Sequence, residues 1–523
     1  MLTLQAASLD WALAHVENYG DTDVFPTPFE YKAIRHDWVN VRQYLLQDVL
    51  QWQVRPHRIL LSPKARYGFR IITQLDPLDF LIFTAIVKEI GSDLEAQRIE
   101  VLNKIVFSYR FSATSDGGMF DPNVGYAQFQ ETSKEIIDAD RTITHVALAD
   151  IADFYSRIYL HRLENSLHSA TSKSNHIAAI IKLLSGWNGT ESFGIPVGNA
   201  PSRLLAETTI SDVDEALLAS GVKFVRFNDD YRIFARNHTE AYRHIAFLAD
   251  VLYRNHGLTL QPQKTTILSK KDFENRYLST PEDREIDSLR ETFDVLLKKI
   301  GLTNRYEEID YNSLSKDAKE IVDSMNLKQI FMEEMQQDGE IDFGIIRFVL
   351  RRLGQLGDSS IVDEVLDNLD VLYPAFPDII RYLRSIRGLS PTRRSDIGTK
   401  ILALLENSII SELDYHRMWA LDLFTDSTEW DNEHQFFNLL ANARDMLSRR
   451  NLILAMGRAG HRYWFNTHWR NLFSESDWPR RAFLAAASCM PVDARKHWYK
   501  SVESRLDPLE KAVMRWAKAN PFY

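Results

Sequence analysis

The sequence has a single cysteine, Cys489, and no long hydrophobic run. One cysteine excludes an internal disulfide, so a reducing compartment, the cytoplasm, is expected. Because no stretch of roughly eighteen apolar residues occurs, we expect no transmembrane span and no membrane partner. The N-terminal segment has no basic start and carries the acidic residues Asp10 and Glu17, which argues against a secretory signal peptide.

Positive charge is also scarce. The formal net charge is −10, from 62 Lys and Arg against 72 Asp and Glu. Residues 1–270 hold 27 Lys and Arg against 31 Asp and Glu, which leaves 35 against 41 for the remainder. Neither part has the basic excess with which proteins hold long duplexes through their phosphates. Any contact with nucleic acid is therefore expected to be local.

What the sequence does contain is ample core material, since 45% of its 523 residues are hydrophobic. This length predicts two or three domains. The first 280 residues mix the two kinds of periodicity, with helices predicted over 79–90 and 177–184 and strands over 145–149, 223–227 and 231–235. That mixture predicts an α+β domain with a small sheet, which we assign to residues 1–285.

The pattern changes from about Ser288 onward, where strand signals fade and helical blocks recur. In residues 344–356, apolar side chains fall on one helical face, and similar blocks follow over 401–410, 416–424, 449–460 and 478–489. Prolines lie between the blocks, as helix boundaries require. Residues 286–523 are therefore predicted to form an all-α domain of HEAT-like helical repeats. An irregular helical bundle is the alternative.

The stretch KFVRFNDDYRIFARN places two adjacent aspartates, Asp229 and Asp230, between two apolar runs. Taken alone, this pattern is typical of a polar hairpin turn. A second stretch, THVALADIADFY, is an apolar strand that delivers Asp150 at its end. Together the three carboxylates are the ligands of a two-metal site, in which one ion activates an attacking hydroxyl and the other neutralises a leaving pyrophosphate. Mg²⁺ prefers such oxygen ligands.

Two further stretches complete the pattern. In FGIPVGNAPSRLLAE, the glycines Gly194 and Gly198 allow the backbone to approach a base or sugar closely before a helix begins near Ser202. In HGLTLQPQKTTIL, a strand–turn–strand arrangement is predicted to bring Lys264 beside the sheet, where its ammonium can face a triphosphate. A solvated lysine in a turn is the alternative for Lys264.

The four stretches, in this order, resemble the palm motifs of reverse transcriptases, although Phe227-Asn228 stands where Tyr-Ala or Tyr-Val is usual and Val197 where many members have Gln. The resemblance implies that Asp150, Asp229 and Asp230 are catalytic and hold two Mg²⁺ (or Mn²⁺) ions, with Ile151 as a further metal ligand. It also implies a set of dNTP-binding residues: Lys64 and Arg70 of a fingers segment, Asp153, Tyr155, Gly198 and Lys264. Tyr155 falls where the family places the aromatic ring that excludes a 2′-hydroxyl, and an ordinary core aromatic is the alternative.

The N-terminal ENYGDTDVFPTPFE, the ADIADFY form of the first motif and the helical C-terminal part resemble abortive-infection reverse transcriptases of the bacterial "unknown group". That resemblance implies an antiphage polymerase with a helical-repeat domain in place of the thumb. It further implies a homo-oligomer, either trimer or hexamer, and single-stranded DNA covalently attached to a priming tyrosine. Tyr19, expected in a glycine-containing loop, is our priming candidate, with Tyr31 and Tyr44 as rivals.

Three functions follow as hypotheses. The first is a metal-dependent polymerase that consumes dNTPs, is primed by its own tyrosine and needs no template. The second is a templated reverse transcriptase that copies a dedicated noncoding RNA. The third is a helical scaffold with an inactive palm, which the three intact aspartates argue against.

Overall fold

The computed structural model describes residues 1–64, 67–278, 314–336, 341–443 and 445–522. It divides into two compact units, Met1–Ile59 with Ile71–Thr280 and Leu60–Arg70 with Pro281–Tyr523. The predicted boundary between residues 285 and 286, and the change of pattern at Ser288, lie outside the described residues. The predicted domain division therefore stays a prediction.

The first unit has a mixed α/β core. Its helices are α1 Ala6–Tyr19, α2 Glu30–His36, α3 Trp38–Leu45, α4 Pro77–Gln97, α5 Tyr126–Ala139, α6 Phe154–Arg157, α7 Leu160–Ala170, α8 Ser174–Asn188, α9 Ala200–Thr209, α10 Ser211–Ala219, α11 His238–His256 and α12 Lys270–Phe273. Strands β1 Arg58–Pro63 and β2 Phe69–Gln74 each have residues in both units, and the first unit contains β3 His145–Asp150, β4 Lys223–Phe227, β5 Asp230–Ala235 and β6 Thr266–Ser269. The helices predicted over 79–90 and 177–184 lie within α4 and α8, and the three predicted strands are confirmed.

The sheet has the order β4-β5-β3-β6, and all its neighbours run antiparallel. Alternate residues of the strands, among them Val146, Leu148, Val225 and Phe234, join one buried apolar cluster with Phe129 of α5. Period-2 alternation of this kind fixes the register, because a slip by one residue would turn the apolar side chains away from the core. In that register Asp150 lies opposite Asp230.

Helix α4 is the central helix of the first unit. The Asp76 carboxylate accepts a hydrogen bond from the backbone N–H of Leu78 (3.1 Å), and Pro77 occupies the first helical position, so the helix begins sharply. From Leu78 to Val87 every side chain is buried. The helix packs against α1, α7, α8 and α9, which accounts for its lack of a polar face over this stretch.

The second unit is helical wherever it forms regular structure beyond residue 313. Its helices are α13 Lys316–Ser324, α14 Leu327–Gln336, α15 Phe343–Leu356, α16 Val362–Asp367, α17 Leu369–Leu372, α18 Phe376–Ser385, α19 Pro391–Ala403, α20 Asp414–Asp422, α21 Phe436–Asn442, α22 Met446–Arg458, α23 Arg462–His468, α24 Asp477–Ala486, α25 Val492–Val502 and α26 Pro508–Ala519. Six of these helices pack in series, each against the next: α15, α18, α20, α22, α24 and α26. Within the described residues, no helix is long and apolar enough to cross a membrane.

Four of the five predicted helical blocks coincide with α15, α20, α22 and α24, whereas the helix predicted over 401–410 is wrong for most of its length. Helix α19 ends at Ala403, and turns follow. The Ser408 hydroxyl donates to the Leu404 carbonyl (2.6 Å), and the backbone N–H of Ile410 donates to the Ser408 oxygen (3.1 Å). Serine side chains that bond to nearby backbone in this way compete with helix formation.

Candidate active site

Asp229 lies in the tight turn between β4 and β5, and Asp230 is the first residue of β5, as the hairpin interpretation predicts. Asn228 has φ of 56°, in the left-handed region that asparagine tolerates better than most residues. Its side-chain amide donates to Asp229 Oδ1 (2.7 Å), and its own Oδ1 accepts a hydrogen bond from the Tyr155 hydroxyl (3.1 Å). Asparagine at this position therefore both permits the turn and holds the first carboxylate.

Strand β3 brings the third carboxylate to the same end of the sheet. The backbone N–H of Ile151 donates to the carbonyl of Asp229 (3.1 Å), which ties the end of β3 to the turn. Asp150, Asp229 and Asp230 each offer a carboxylate oxygen, and these oxygens lie within 4.8 Å of one another. Asp150 is buried, Asp229 half-buried and Asp230 exposed, so the cluster opens toward solvent on one side.

The cluster concentrates negative charge. The pKa of Asp230 is raised to about 7, chiefly by desolvation of its carboxyl group and also by the neighbouring carboxylates of Asp229 and Asp150. Lys264 supplies a counter-charge, since its ammonium pairs with the Asp150 carboxylate. Burial lowers the pKa of Lys264, but its hydrogen bond to Asp150 and the charges of the three carboxylates together outweigh that effect, and the net pKa is raised. One lysine does not balance three carboxylates, and divalent cations with oxygen ligands fit the remaining charge.

The raised pKa predicts a pH dependence of metal binding. A divalent ion must displace the proton from Asp230, whose ordinary pKa is 3.8, so ion binding is expected to strengthen as pH rises through about 7. At a hundredfold excess of Mg²⁺ over its Kd, thermal melting at pH 8 is expected to rise by roughly 5–10 °C, and by less at pH 5.5. In the ion-free protein the sign is opposite, because ionising Asp230 destabilises the fold between pH 4 and 7.

The matched control is Asp230→Asn, which removes the titrating carboxyl but keeps its shape. Its melting temperature should respond weakly to Mg²⁺, and to the same extent at both pH values. Asp21 and Asp79 also have pKa values raised to about 7 by burial, so the comparison is made with and without Mg²⁺ at each pH. An equal gain at pH 5.5 and pH 8 in the wild type would contradict the assignment.

Two predicted nucleotide-binding residues follow β3 directly. Asp153 is exposed and has φ of 47°, a left-handed residue at the start of α6. The Tyr155 ring packs on Phe154, with ring centroids 5.4 Å apart, and its hydroxyl bonds to Asn228 as described. Tyr155 is thus anchored to the turn that carries Asp229, which supports a role beside the Asp cluster and leaves that role a prediction.

The loop with Gly198 lies against the N-terminal segment. Gly198 has φ of 103°, and a Cβ built there would approach Thr22 Oγ1 to 2.8 Å. Its carbonyl accepts a hydrogen bond from the backbone N–H of Asp23 (3.4 Å). Glycine is required at this position by both the backbone conformation and the close approach. The helix predicted to begin near Ser202 is α9, and Asn199 caps it by accepting from the backbone N–H of Ser202 (3.0 Å).

The structure corrects the predicted surroundings of two residues. Tyr19 is the last residue of α1, not part of a loop, and the loop begins at Gly20. Its ring is 54% exposed, and its hydroxyl donates to Asp116 Oδ2 (2.8 Å). Lys264 does lie in a turn before β6, but only a single bridge, between Ile151 and Leu260, stands where the first strand of the predicted strand–turn–strand is expected.

The remaining predicted residues, Lys64 and Arg70, belong to the segment Leu60–Arg70, which clusters with the second unit. Both are exposed. Within that unit Arg70 lies near Arg347. Burial lowers the pKa of Arg347, Asp378 raises it less strongly, and Arg70 lowers it. Their predicted contact with a triphosphate stays a prediction.

Sequence reasoning missed a buried ion network beneath the Asp turn. Arg226, on β4, donates bidentately to Asp214 (2.8 and 2.5 Å) and lies 3.0 Å from the Glu207 carboxylate. A second arginine, Arg98, pairs with Glu207 (2.7 Å), and the Ser108 hydroxyl donates to the same carboxylate (2.5 Å). The side chains of all four charged residues are nearly inaccessible to solvent.

This network also reaches the turn itself. Arg226 Nη1 donates to the carbonyl of Asn228 (2.8 Å), and the Asn228 backbone N–H donates to the Ser108 hydroxyl (2.8 Å). Both the backbone N–H and the carbonyl of Asn228, in the turn beside Asp229, are therefore hydrogen-bonded to the buried network. The sequence signal for this network is a charged residue, Arg226, inside an otherwise apolar strand.

A second missed residue is Arg203, on α9. Its guanidinium donates to the Asp23 carboxylate (2.7 Å) and lies over the Tyr109 ring, 5.2 Å from the centroid. Burial lowers its pKa, and the surrounding Tyr109, Asp23 and Tyr155 groups raise it more strongly. Arg203 therefore links the N-terminal segment to the aromatic residues beside Asn228.

Residues 85–293 match the family model of reverse transcriptase (RNA-dependent DNA polymerase). This part of the chain is a reverse-transcriptase domain, and the matched residues include the turn and strand that bring the three aspartates together. The protein is accordingly a nucleotidyltransferase, a polymerase of the reverse-transcriptase type. The predicted resemblance to reverse transcriptases and the predicted enzyme class are thereby confirmed.

Two solved structures match the chain at low identity. A telomerase from Candida albicans in complex with a fragment of telomeric RNA matches with 12% identity and a TM-score of 0.32, over 75% of this chain and 70% of the telomerase chain. A partial Cas6-RT-Cas1–Cas2 complex matches with 18% identity and a TM-score of 0.24, over 47% of this chain and 41% of that chain. No curated protein matches the sequence.

Proposed function

We propose that this protein is a divalent-metal-dependent DNA polymerase that incorporates dNTPs at a site formed by Asp150, Asp229 and Asp230. The observation that carries the proposal is the convergence of these three carboxylates at one end of the sheet, inside the reverse-transcriptase domain. Two Mg²⁺ (or Mn²⁺) ions held there would activate the attacking hydroxyl and stabilise the pyrophosphate that leaves. Asp150 and Asp229 would hold the ions, with the Ile151 carbonyl, and Asp230 would complete the set.

The protein's own residues then position the nucleotide. Tyr155 donates a hydrogen bond to Asn228, in the turn beside Asp229. Gly198 lies just before α9, the helix that carries Arg203. We assign Tyr155 to the sugar and Gly198, Asp153 and Lys264 to the base and phosphates. Lys64 and Arg70 are assigned to the triphosphate from the family resemblance alone.

Tyr155 is expected to set the preference for deoxynucleotides. Replacing it with valine removes the ring that would pack on C2′, so the ratio of kcat/KM for dNTP over rNTP should fall by at least about tenfold. Tyr155→Phe is the matched control, because it keeps the ring and loses only the hydrogen bond to Asn228. Single-nucleotide incorporation with each substrate measures both ratios. If Tyr155→Val discriminates as well as the wild type, Tyr155 is an ordinary core aromatic.

We further propose that synthesis is primed by the protein itself, from Tyr19. The hydroxyl of Tyr19 is exposed and polarised by Asp116, whereas Tyr31 is only 4% exposed. Asp23, which contacts Gly198 and Arg203, is the fourth residue after Tyr19. The Cα atoms of Tyr19 and Asp23 therefore lie within about 14 Å of each other. The short distance along the chain between Tyr19 and the segment that contacts Gly198 supports Tyr19 as the priming residue.

Priming predicts a covalent product. With radiolabelled dNTP and Mg²⁺, label should remain on the wild-type protein through denaturation in SDS and be absent from Tyr19→Phe. The substitution removes one exposed hydrogen bond, worth about 1 kcal/mol, so the fold should persist. Tyr44→Phe, at a half-buried tyrosine that packs on Trp52, is the control and should keep the label. Label that survives Tyr19→Phe would move the primer to another tyrosine.

The family resemblance assigns this polymerase to antiphage defence, as a homo-oligomer with covalently attached single-stranded DNA and helical repeats of HEAT-like type. The serial packing of six helices in the second unit supports the repeat assignment. The alternative is a templated enzyme that copies a dedicated noncoding RNA. One experiment tests the proposal: the purified protein is incubated with all four dNTPs and no nucleic acid, and attached DNA is sequenced. A defined, repeated complement would favour the templated alternative, and no synthesis with or without RNA would contradict both.

A further inference from the structure

One short segment of the second unit differs in charge from the chain as a whole. Residues 458–470, RAGHRYWFNTHWR, contain three arginines, two histidines, three aromatic residues besides Phe465 and no aspartate or glutamate. The protein has a net charge of −10. Basic residues interleaved with aromatic rings are the composition of surfaces that bind single-stranded nucleic acid, where bases stack and phosphates need counter-charge.

The segment presents these side chains to solvent. Helix α23 begins at Arg462, which is exposed, and Tyr463 next to it is 82% exposed. Trp464 is half-buried: its ring stacks on His468 at 4.5 Å and 14°, and its other contacts are with the core residues Phe465 and Phe483. Tyr463 is thus a free-standing ring beside a tryptophan whose orientation is fixed by the core.

A groove of about 460 Å³ runs along these residues. It is lined by Phe437, His461, Arg462, Tyr463, Trp464 and His468, together with one glycine and one threonine. Phe437 is 42% exposed, and its ring meets the His461 ring edge to face at 4.6 Å. The volume falls within the range of ligand-binding grooves, and the lining contains no acidic side chain and no leucine, isoleucine or valine.

The chemistry of this lining separates three kinds of occupant. A protein partner could also use the rings and the arginine, but only an acidic segment would match a lining that has no acidic side chain. A nucleic-acid duplex hides the faces of its bases, so it could use the arginines but not the rings. Unstacked bases can use both, because every base has a flat face for an aromatic ring and a phosphate for an arginine.

We propose that residues 458–470, with Phe437, form a binding surface for single-stranded nucleic acid, which we call the α23 surface. Tyr463 stacks on a base, and Arg462 and Arg470 contact the phosphates. This surface goes beyond the proposed polymerase site, and binding to it requires neither dNTPs nor metal. Single-stranded DNA product and single-stranded RNA share this chemistry, and the experiment distinguishes them.

The test is fluorescence anisotropy with 20-nucleotide fluorescein-labelled oligonucleotides, dT and rU, each blocked at the 3′ end, without dNTPs and with EDTA. The double variant Arg462→Ala Tyr463→Ala should bind about tenfold more weakly than the wild type, and its affinity should depend less steeply on salt. The single variant Tyr463→Trp should bind as tightly as the wild type, because it retains a stacking ring. Weakening with dT alone would identify DNA as the ligand, and weakening with rU alone would identify RNA.

The matched control is Tyr253→Ala Arg254→Ala, an exposed Tyr-Arg pair on α11 where Tyr253 is 68% exposed and Arg254 pairs with Asp250. Its affinity should stay within about twofold of the wild type. Unchanged binding in the α23 double variant, or an equal loss in the control, would overturn the proposal. So would dissociation of the oligomer in sedimentation velocity with unchanged oligonucleotide binding, since the surface would then be a contact between copies.

These outcomes are independent of the polymerase assignment. Wild-type protein that binds oligonucleotides but incorporates no dNTPs would contradict only the proposed active site. A variant that incorporates dNTPs normally and loses affinity for oligonucleotides supports the α23 surface whatever primes the reaction. The melting temperature of each variant, measured by circular dichroism, should equal that of the wild type, because the replaced side chains are exposed. Equal melting temperatures show that the comparison is between folded proteins.

Discussion

Asp229→Asn is expected to reduce dNTP incorporation by about a thousandfold or more, because it removes one of the three charges that hold the catalytic ions. Asparagine has the same shape, and the amide of Asn228, which donates to Asp229 Oδ1, would meet the remaining side-chain oxygen. The fold should therefore be retained and the loss should lie in kcat. Single-turnover incorporation with saturating Mg²⁺ measures it.

The matched control for Asp229→Asn is Asp250→Asn, an exposed carboxylate on α11 that pairs only with Arg254 among the contacts described. This change should leave the rate within about twofold of the wild type. Mn²⁺ relaxes the demand for hard oxygen ligands, so partial rescue of Asp229→Asn by Mn²⁺ would support metal binding at this residue. Wild-type rates in Asp229→Asn with Mg²⁺ would contradict the proposed site.

Arg226→Met is expected to destabilise the first unit by about 3–5 kcal/mol, because it leaves the buried carboxylates of Asp214 and Glu207 without their shared guanidinium. The hydrogen bond from Arg226 to the Asn228 carbonyl is lost as well, so the catalytic turn loses its support from below. Urea unfolding followed by tryptophan fluorescence measures the free-energy change.

The control for Arg226→Met is Arg236→Met, at an exposed arginine just before α11 that pairs with Glu240 in the first turn of that helix. Exposed pairs of this kind contribute about 0–1 kcal/mol. A change in Arg226→Met no larger than in Arg236→Met would show that the buried network does not stabilise the fold. If Arg226→Met folds at low temperature, its kcat should still fall, because the Asp turn is no longer held in place.

The site could be predicted from the sequence where local pattern and chemistry coincide. Strands β3, β4 and β5 alternate apolar residues toward the α5 cluster, and the turn between β4 and β5 carries Asn and Asp, so both the hairpin and its carboxylates follow from short-range signals. That Asp150 meets Asp230 depends on β5 pairing with β3, which a single sequence does not encode locally.

The features that the sequence did not reveal depend on distant partners. Glu207 is separated from Arg98 by 109 residues along the chain, so no local pattern marks their ion pair. Tyr19 was expected in a loop because Gly20 follows it, but the glycine is the residue at which the helix ends, with φ of 80°. The helix predicted to continue past Ala403 was wrong because serine side chains bond to the backbone there.

The subclass, the priming tyrosine, the antiphage role and the oligomer rest on sequence resemblance and stay proposals. The reverse-transcriptase domain itself is shown by the family match over residues 85–293. The geometry adds a physical reason for its chemistry. Three carboxylates lie at one end of the sheet, with one lysine beside them and a buried ion network beneath.

The most direct test of this account is anomalous X-ray scattering from crystals soaked with Mn²⁺ and a dNTP analogue that cannot release pyrophosphate. We predict two anomalous peaks about 3.5–4 Å apart, in contact with the carboxylates of Asp150, Asp229 and Asp230. Crystals of Asp229→Asn, treated in the same way, should show weaker peaks or one. Manganese bound elsewhere, with none at these three carboxylates while the analogue is bound, would contradict the proposed metal-dependent active site.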